Sequence, residues 1–319
     1  MAARRRGKKK SGRSYAWRYR GRIVACVFVE VIIICALVIM IGWNKGVKEW
    51  FEQFEQPVLK EVDISGINSP NAILMQARGG KILGEINGEA QIYPASMTKI
   101  MTVILGIENF DDLDEKITLT NEMFSGLYEQ DATQAGFQPG EEVRVIDLLY
   151  GAMLPSGAEC CIALADTISG SEADFAELMN KKARKLGMEN THFCDSTGLH
   201  NPDHYSTVKD IAVLMKYCIK NDTFREIVET SRHSTGVTNI HPDGITYYST
   251  MFKNLSDPTV TGGKILGGKT GYTSEAGHCL VSFAEIEGRE YIFVSAGASG
   301  ADGNTIPHIQ DAVTVYNRV

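Results

Sequence analysis

A serine and a lysine three positions apart, Ser96 and Lys99, are the residues of this chain best suited to nucleophilic chemistry. Side chains at positions i and i+3 of a helix are neighbours, so the amine would lie within reach of the hydroxyl. An adjacent amine is one way to activate a serine without histidine. Pro94 favours a helix start here, which leaves the Ser96 N–H free for an oxyanion and disfavours the charged form of Lys99. The spacing predicts acyl transfer.

The same Ser-x-x-Lys spacing recurs at Ser206 and Lys209, so the spacing alone does not identify a site. The second pair follows a turn-like segment, and Asp210 offers Lys209 a solvated charge partner. Ser96 and Lys99 lead instead into an apolar run at 100–107, which predicts a buried helix and a desolvated lysine. We therefore predict that Ser96 is the nucleophile.

A glycine-rich segment, 267–273, carries a second candidate lysine, Lys269, followed by Thr270. Glycine inside a strand often marks the close approach of another backbone or of a ligand. On this interpretation Lys269 supplies a fixed positive charge and Thr270 a hydroxyl donor for a substrate carboxylate. The alternative is a glycine-rich turn with an exposed lysine, and this segment by itself leaves both open.

The segments that must position these residues have strand-like patterns near both ends and helical patterns between them. Hairpins are predicted at 71–87 and at 278–296, with turns at 78–80 and 287–289. Predicted helices cover 145–153, 160–168, 172–186, 207–219 and 306–319. Early and late strands imply one sheet assembled from both chain ends, with a cleft beside the helical part as the expected site.

The first 22 residues carry ten basic side chains and no acid, and 23–43 is a mostly apolar run of 21 residues. We predict a basic cytoplasmic tail at 1–22, a transmembrane anchor at 23–43, a stalk at 44–60 and a catalytic domain at 61–319 outside the membrane. A cleavable signal peptide is the alternative, but the apolar run exceeds a usual h-region and lacks a small-x-small cleavage pattern. The expected location is the cell membrane.

Beyond the apolar run the composition limits the possible partners. Residues 44–319 carry 22 basic and 38 acidic side chains, a net charge of −16, which argues against nucleic acid. The five cysteines there have no regular spacing, so we expect buried free thiols rather than a disulfide framework. The histidines are scattered and no zinc-type motif occurs, so we expect no metal and no other cofactor.

Four stretches together resemble the serine D-alanyl-D-alanine carboxypeptidases, the low-molecular-weight penicillin-binding proteins. They are Tyr-Pro-Ala-Ser-Met-Thr-Lys at 93–99, Leu-Pro-Ser-Gly-Ala at 154–158, the stretch 187–207 and Gly-Lys-Thr-Gly-Tyr-Thr at 268–273. The resemblance covers roughly residues 60–319. It implies an α/β fold of the transpeptidase/β-lactamase type, an antiparallel sheet flanked by helices with a helical subdomain, here preceded by one transmembrane helix.

The resemblance also implies the chemistry. Ser96 would attack the carbonyl between the two terminal D-alanines of a peptidoglycan stem peptide, and neutral Lys99 would take its proton. Ser156 would relay that proton to the leaving D-alanine, after which water would hydrolyse the acyl-enzyme.

Substrate binding is implied for three further groups. Lys269 and Thr270 would hold the terminal carboxylate, and the Tyr272 backbone N–H would complete an oxyanion hole with that of Ser96. β-Lactams, which mimic the dipeptide end, are expected to acylate Ser96.

Two departures from the family pattern stand out. The family's middle motif is Ser-x-Asn, whereas this chain has Ser156-Gly157-Ala158. The missing amide would affect affinity and substrate range more than the mechanism. Many relatives also continue into a C-terminal β-domain and an amphipathic membrane anchor, and we expect the N-terminal apolar run to replace that anchor here.

Three other functions remain open. A class A β-lactamase needs a glutamate to activate the deacylating water, and the corresponding region holds Glu-Asn-Thr-His at 189–192. A DD-endopeptidase acting on cross-links would use the same residues. A β-lactam sensor or non-catalytic wall-binding protein would be acylated without turnover.

Overall fold

The strands of the main sheet come from the beginning and the end of the described chain, and most of the helices lie between them in sequence. The structure is a computed structural model that describes residues 60–300 and 306–319. Its elements, in chain order, are β1 (Asn71–Gln76), β2 (Ile82–Ile86), a 3-10 turn (Ala95–Thr98), α1 (Lys99–Asn109), β3 (Lys116–Thr118), a second 3-10 turn (Asn121–Phe124), β4 (Glu142–Arg144), α2 (Val145–Met153), α3 (Ala158–Ser169), α4 (Glu172–Leu186), α5 (Val208–Cys218), α6 (Asp222–Glu229), β5 (Arg232–Ser234), β6 (Thr246–Tyr248), α7 (Thr250–Asn254), β7 (Thr259–Val260), β8 (Gly263–Thr273), β9 (Gly277–Ile286), β10 (Arg289–Ala298) and α8 (Pro307–Tyr316).

Six strands form an antiparallel sheet in the order β2-β1-β10-β9-β8-β7. Successive strand residues face opposite sides, and both sides of this sheet are buried. Ile73 and Val294, for example, belong to the main core with the helices, whereas their neighbours Leu74 and Phe293 are equally buried outside that cluster. The central strands are therefore apolar almost throughout, as burial on both faces requires.

Helices α1 to α6 pack together on one side, with α1 at the centre. α1 packs against α2, α3, α5 and α6, and its residues from Lys99 to Gly106 are all buried. The sheet reaches this cluster through β1 and β10, which pack on α5, and through β8, which packs on the 3-10 turn and on α6. The junction of β8 with the turn that leads into α1 is where the candidate site lies.

Helix α8 covers β9 and β10 on the sheet's other side. Tyr316 Oη lies 3.1 Å from Ser282 Oγ and accepts the Phe293 N–H at 3.1 Å. The buried carboxylate of Asp311 accepts four hydrogen bonds from the backbone and side chains of Asn68 and Ser69. This clamp fixes the segment that enters β1 to the last helix of the chain.

The predicted α/β architecture is confirmed, including the sheet assembled from both ends. Helices 145–153 and 172–186 match their predicted bounds, and both hairpins of the sheet are present. Two strand pairs, β3–β4 and β5–β6, and two helices, α6 and α7, were not predicted. Each of these four strands has only three residues, which is too few to show a period in the sequence.

The predicted tail, anchor and the stalk up to residue 59 lie outside the described residues. Within the described ranges, no helix combines the length and the apolar character needed to cross a bilayer.

Candidate active site

The candidate nucleophile lies in a single 3-10 turn, Ala95–Thr98, directly before α1. The predicted helix start is therefore slightly wrong: Pro94 precedes this turn, and Lys99, not Ser96, is in the first turn of the α-helix. Ala95 adopts a positive φ of 46°, a conformation that costs a residue with a Cβ energy and is concentrated at functional sites. The three-residue spacing still brings the two side chains together.

Lys99 contacts Ser96 directly. Its Nζ lies 2.9 Å from Ser96 Oγ and 2.8 Å from the carbonyl oxygen of Thr197, and the side chain is almost fully buried. Burial lowers the pKa of Lys99, an effect partly opposed by the neighbouring Cys161 and Asp195. A lowered pKa favours the free amine, which is the form that accepts a proton from Ser96.

Ser156 is the second hydroxyl at the nucleophile. It lies in the turn between α2 and α3, with a positive φ of 74°, and its Oγ donates to Ser96 Oγ at 3.0 Å. The next residue, Gly157, bonds back to the carbonyl of Gly151, which holds this turn against α2. Ser156 is only 7% exposed, so its hydroxyl is largely shielded from solvent.

Lys269 completes the line of polar groups. Its Nζ donates to Ser156 Oγ at 3.0 Å and to the Thr270 carbonyl at 2.9 Å, and the residue is 1% exposed. The interpretation of 267–273 as a turn with an exposed lysine is wrong, because the segment lies inside β8. Burial, and then the positive charge of Lys99, lower the pKa of Lys269 well below its usual value.

Thr270 and Tyr272 are on the same strand and differ in accessibility. The Thr270 hydroxyl is half-buried and lies 2.7 Å from that of Thr250, at the start of α7. The Tyr272 side chain is 61% exposed and its ring lies 4.7 Å from that of His278. The role of the Tyr272 N–H in an oxyanion hole stays a prediction.

Glycine at 271 is required by how closely β8 passes the nucleophile's turn. A Cβ on Gly271 would lie 3.0 Å from the Ser96 nitrogen and 3.1 Å from Ala95 Cβ. Contacts this short are tighter than most real Cβ contacts, so the strand or the turn would have to shift by a few tenths of an ångström. The Ser96 N–H and this strand therefore border the same narrow space.

A turn at 195–198, whose contribution was not predicted, supports Lys99 from behind. The Thr197 carbonyl accepts from Lys99, and the Asp195 carboxylate accepts from the N–H groups of Thr197 and Gly198. The turn packs so tightly that a Cβ on Gly198 would lie 1.9 Å from the Ala95 carbonyl oxygen. Residues 195–198 lie within the stretch 187–207 that contributed to the family resemblance. The resemblance, however, assigned no role to these four residues.

The second Ser-x-x-Lys pair does not form a site. Ser206 is fully buried and its hydroxyl lies 2.8 Å from that of Thr191. Lys209 is paired with Glu89 rather than with the predicted Asp210. The serine and the lysine therefore serve separate structural contacts, which supports the choice of Ser96.

Ala158, the departure from the family motif, is the first residue of α3 and is 1% exposed. The adjacent Glu159 is buried, and its Oε1 accepts from the N–H groups of Ala135 and Gly136 at 2.6 and 2.9 Å. Burial raises the pKa of Glu159. The Ser156 turn is thus attached, through α3, to the loop at 133–136.

The solved structures that share this fold include a DD-transpeptidase and a D-alanyl-D-alanine carboxypeptidase. The crystal structure of the Streptomyces K15 DD-transpeptidase superposes with a TM-score of 0.70 at 28% identity, over 80% of this chain and 98% of that one. A D-alanyl-D-alanine carboxypeptidase from Mycobacterium tuberculosis gives a TM-score of 0.70 at 21% identity, which shows the shared fold.

The chain belongs to the D-alanyl-D-alanine carboxypeptidase family, whose model matches residues 58–300. The D-alanyl-D-alanine carboxypeptidase DacF of Bacillus subtilis is 35% identical over 231 residues, 72% of this chain and 57% of that protein. DacC of Escherichia coli is 33% identical over 74% of this chain and 58% of its own length. The aligned part thus spans less than two thirds of these relatives.

Proposed function

We propose that this protein is a serine D-alanyl-D-alanine carboxypeptidase that removes the terminal D-alanine from peptidoglycan stem peptides. The observation that carries the proposal is the continuous line of hydrogen bonds from Lys269 through Ser156 and Ser96 to Lys99. Membership of the carboxypeptidase family supports the substrate class.

In the proposed acylation step, Ser96 Oγ attacks the carbonyl carbon of the penultimate D-alanine. The Ser96 proton passes to the neutral amine of Lys99, and the bond to the terminal D-alanine breaks. Ser156, in contact with Ser96 Oγ, relays the proton held by Lys99 to the leaving amine, so Lys99 is neutral again when water attacks. Water then attacks the ester, which restores Ser96 and releases the shortened peptide.

Lys269 and Thr270 are proposed to receive the terminal carboxylate. β7 pairs only with the first two residues of β8. Lys269 and Thr270 lie further along β8, where no strand of the described residues pairs with the edge opposite β9. A peptide laid along this edge could add to the sheet by main-chain hydrogen bonds, a common mode of peptide recognition. β-Lactams are proposed to enter in the same way and to acylate Ser96.

The test is release of D-alanine from a stem pentapeptide by the full-length protein. Ser96→Ala and Lys99→Ala are expected to lose release and to lose the covalent adduct with a fluorescent penicillin. Lys209→Ala, in the second Ser-x-x-Lys pair, is the matched control and is expected to keep both. Release that survives in Ser96→Ala would contradict the proposal.

A transpeptidase is the second candidate, favoured by the likeness to the Streptomyces K15 DD-transpeptidase. The acyl-enzyme would then react with an amine instead of water. Adding glycine as acceptor separates the two functions: a new peptide bond to glycine in place of the free acid would support transpeptidation. Adduct formation without any turnover would favour the sensor, and cleavage only of cross-linked dimers would favour the endopeptidase.

We also propose that residues 23–43 anchor the protein in the membrane with the catalytic domain outside. The charge and length of 1–43 support this topology. Protease added to intact spheroplasts is expected to degrade the catalytic domain while a tag on residue 1 stays protected. A tag degraded together with the domain would contradict this orientation.

A further inference from the structure

A buried polar network lies behind Lys99, on the side away from Ser96. The Asp195 Oδ1 accepts from the Thr197 N–H, the Thr197 hydroxyl and the Gly198 N–H, at 2.7–2.8 Å. Its Oδ2 lies 3.1 Å from His204 Nδ1, and His204 Nε2 lies 2.9 Å from the hydroxyl of Thr98. Thr98 belongs to the same 3-10 turn as Ser96, so the network links both sides of the lysine.

The position of the Thr197 carbonyl decides how the Lys99 amine is oriented. A neutral lysine amine has two N–H donors and one lone pair. When one N–H donates to the Thr197 oxygen at 2.8 Å, the lone pair is free to point at Ser96 Oγ, 2.9 Å away. A nucleophile, a base and a third group that orients the base form the general arrangement of activated serines.

We propose that Asp195, acting through His204 and the Thr197 carbonyl, is the positioning residue that aligns Lys99 for proton transfer from Ser96. The inference rests on the proposed acyl-transfer function. The hydrogen-bond partners of Asp195 are Thr197, Gly198 and His204 rather than Ser96, so its effect passes through the backbone of 197–198 and through His204. Three donors on one carboxylate oxygen leave this turn little freedom, and the steric fit of Gly198 against Ala95 removes most of what remains.

The charge of Asp195 gives the proposal a second, separable consequence. Lys99 is faced by the carboxyl groups of Glu159 and Asp195, by the thiols of Cys160 and Cys161, and by the ammonium of Lys269. Asp195 raises the pKa of Lys99 against the effect of burial, and its hydrogen bonds keep its own pKa at about 2, so it is charged throughout the working range. Removing this charge lowers the pKa of Lys99 further.

The experiment compares Asp195→Asn with the unaltered protein in the rate of acylation by a fluorescent penicillin, from pH 5 to 10. Asparagine keeps an acceptor but loses the charge. The plateau rate is expected to fall about tenfold to a hundredfold, as for a modest misalignment of reacting groups, with KM for the pentapeptide little changed. The acid limb of the profile, which reports neutral Lys99, is expected to move to lower pH.

Glu172→Gln is the matched control, because Glu172 is a carboxylate that binds the neighbouring Ser196 of the same turn and not Thr197. It is expected to keep the plateau rate. His204→Gln loses the link to Thr98 and leaves the three donors on Asp195 Oδ1 in place, so its plateau is expected to fall. Thermal unfolding of each variant shows that the protein is folded.

The outcomes separate this inference from the proposed function. If the unaltered protein is neither acylated nor active, the function fails. If the unaltered protein is acylated and Asp195→Asn has the same plateau rate and the same acid limb, the function stands and the positioning role of Asp195 is wrong. The positioning role would also be wrong if Asp195→Asn lost rate only in proportion to its loss of folded protein and its acid limb did not move.

Discussion

Four side chains, Lys269, Ser156, Ser96 and Lys99, form one hydrogen-bonded line across the junction of the sheet and the helical cluster. The two lysines lie at the ends of the line, both buried, and each is held by a backbone carbonyl as well as by a serine. Burial lowers the pKa of both lysines. The serines between them are therefore in contact with two amines, of which Lys99 is the proposed base and Lys269 the proposed partner of the substrate carboxylate.

The closeness of β8 to Ser96 leads to a prediction for Gly271→Ala. The new Cβ would lie 3.0 Å from the Ser96 nitrogen, so either the strand or the nucleophile's turn must shift by a few tenths of an ångström. We expect penicillin acylation to slow by about tenfold or more while the protein stays folded. Gly236→Ala, whose Cβ would be no closer than 3.5 Å to any neighbour outside its adjacent residues, is the control. Equal rates in both variants would show that this contact does not matter.

Two elements with few sequence signals of their own position this line of residues. The turn between α2 and α3 holds Ser156 in a left-handed conformation, and the turn at 195–198 supports Lys99. Their positions depend on contacts with residues distant in the chain, such as Ala158 N–H with the Thr133 carbonyl. The same is true of α8, whose attachment to the start of β1 depends on Asp311.

At this scale we predict that Asp311→Ala is strongly destabilising. The substitution leaves four donors of Asn68 and Ser69 without their buried acceptor, which is expected to lower the free energy of unfolding by about 2–4 kcal/mol. Urea denaturation measures the change. Gln310→Ala, exposed on the preceding position of the same helix, is expected to change it by less than about 0.5 kcal/mol. Equal stability of the two variants would contradict the role of the clamp.

Over the whole molecule, the sheet joins segments separated by more than 200 residues, and α8 covers it. β1 pairs directly with β10, so Asn71 lies opposite Ala296. His308, near the start of α8, is only 4% exposed. Its ring stacks on the ring of His278 in β9, with the two ring centroids 5.0 Å apart. Burial lowers the pKa of His308 to about 4.

This histidine is expected to make global stability depend on pH. In the unfolded chain His308 would protonate near pH 6.5, whereas in the folded protein it stays neutral down to about pH 4. The unfolded state therefore binds more protons in this interval, and the free energy of unfolding falls as the pH drops from 6.5 to 4, by about 3 kcal/mol. Urea denaturation of His308→Gln is expected to show a flatter dependence over the same interval. An identical dependence in both proteins would exclude His308 as the cause.

The sequence by itself determined the features that depend on neighbouring residues. The spacing of Ser96 and Lys99 placed the amine beside the hydroxyl, and apolar periodicity predicted α2, α4 and the sheet hairpins, because these patterns reflect local geometry. The glycines around Lys269 correctly indicated a close approach. Similarity of motifs, rather than any local physical signal, pointed to Ser156.

Only the tertiary structure decided which distant groups meet. The Thr197 carbonyl reaches Lys99 across 98 positions, Lys269 reaches Ser156 across 113, and Asp195 joins His204 behind them. None of these contacts follows from periodicity, because a hydrogen bond between distant segments depends on how the sheet and the helices pack. Packing likewise explains why Ser206 and Lys209, with the same spacing as the candidate pair, are turned to separate structural partners.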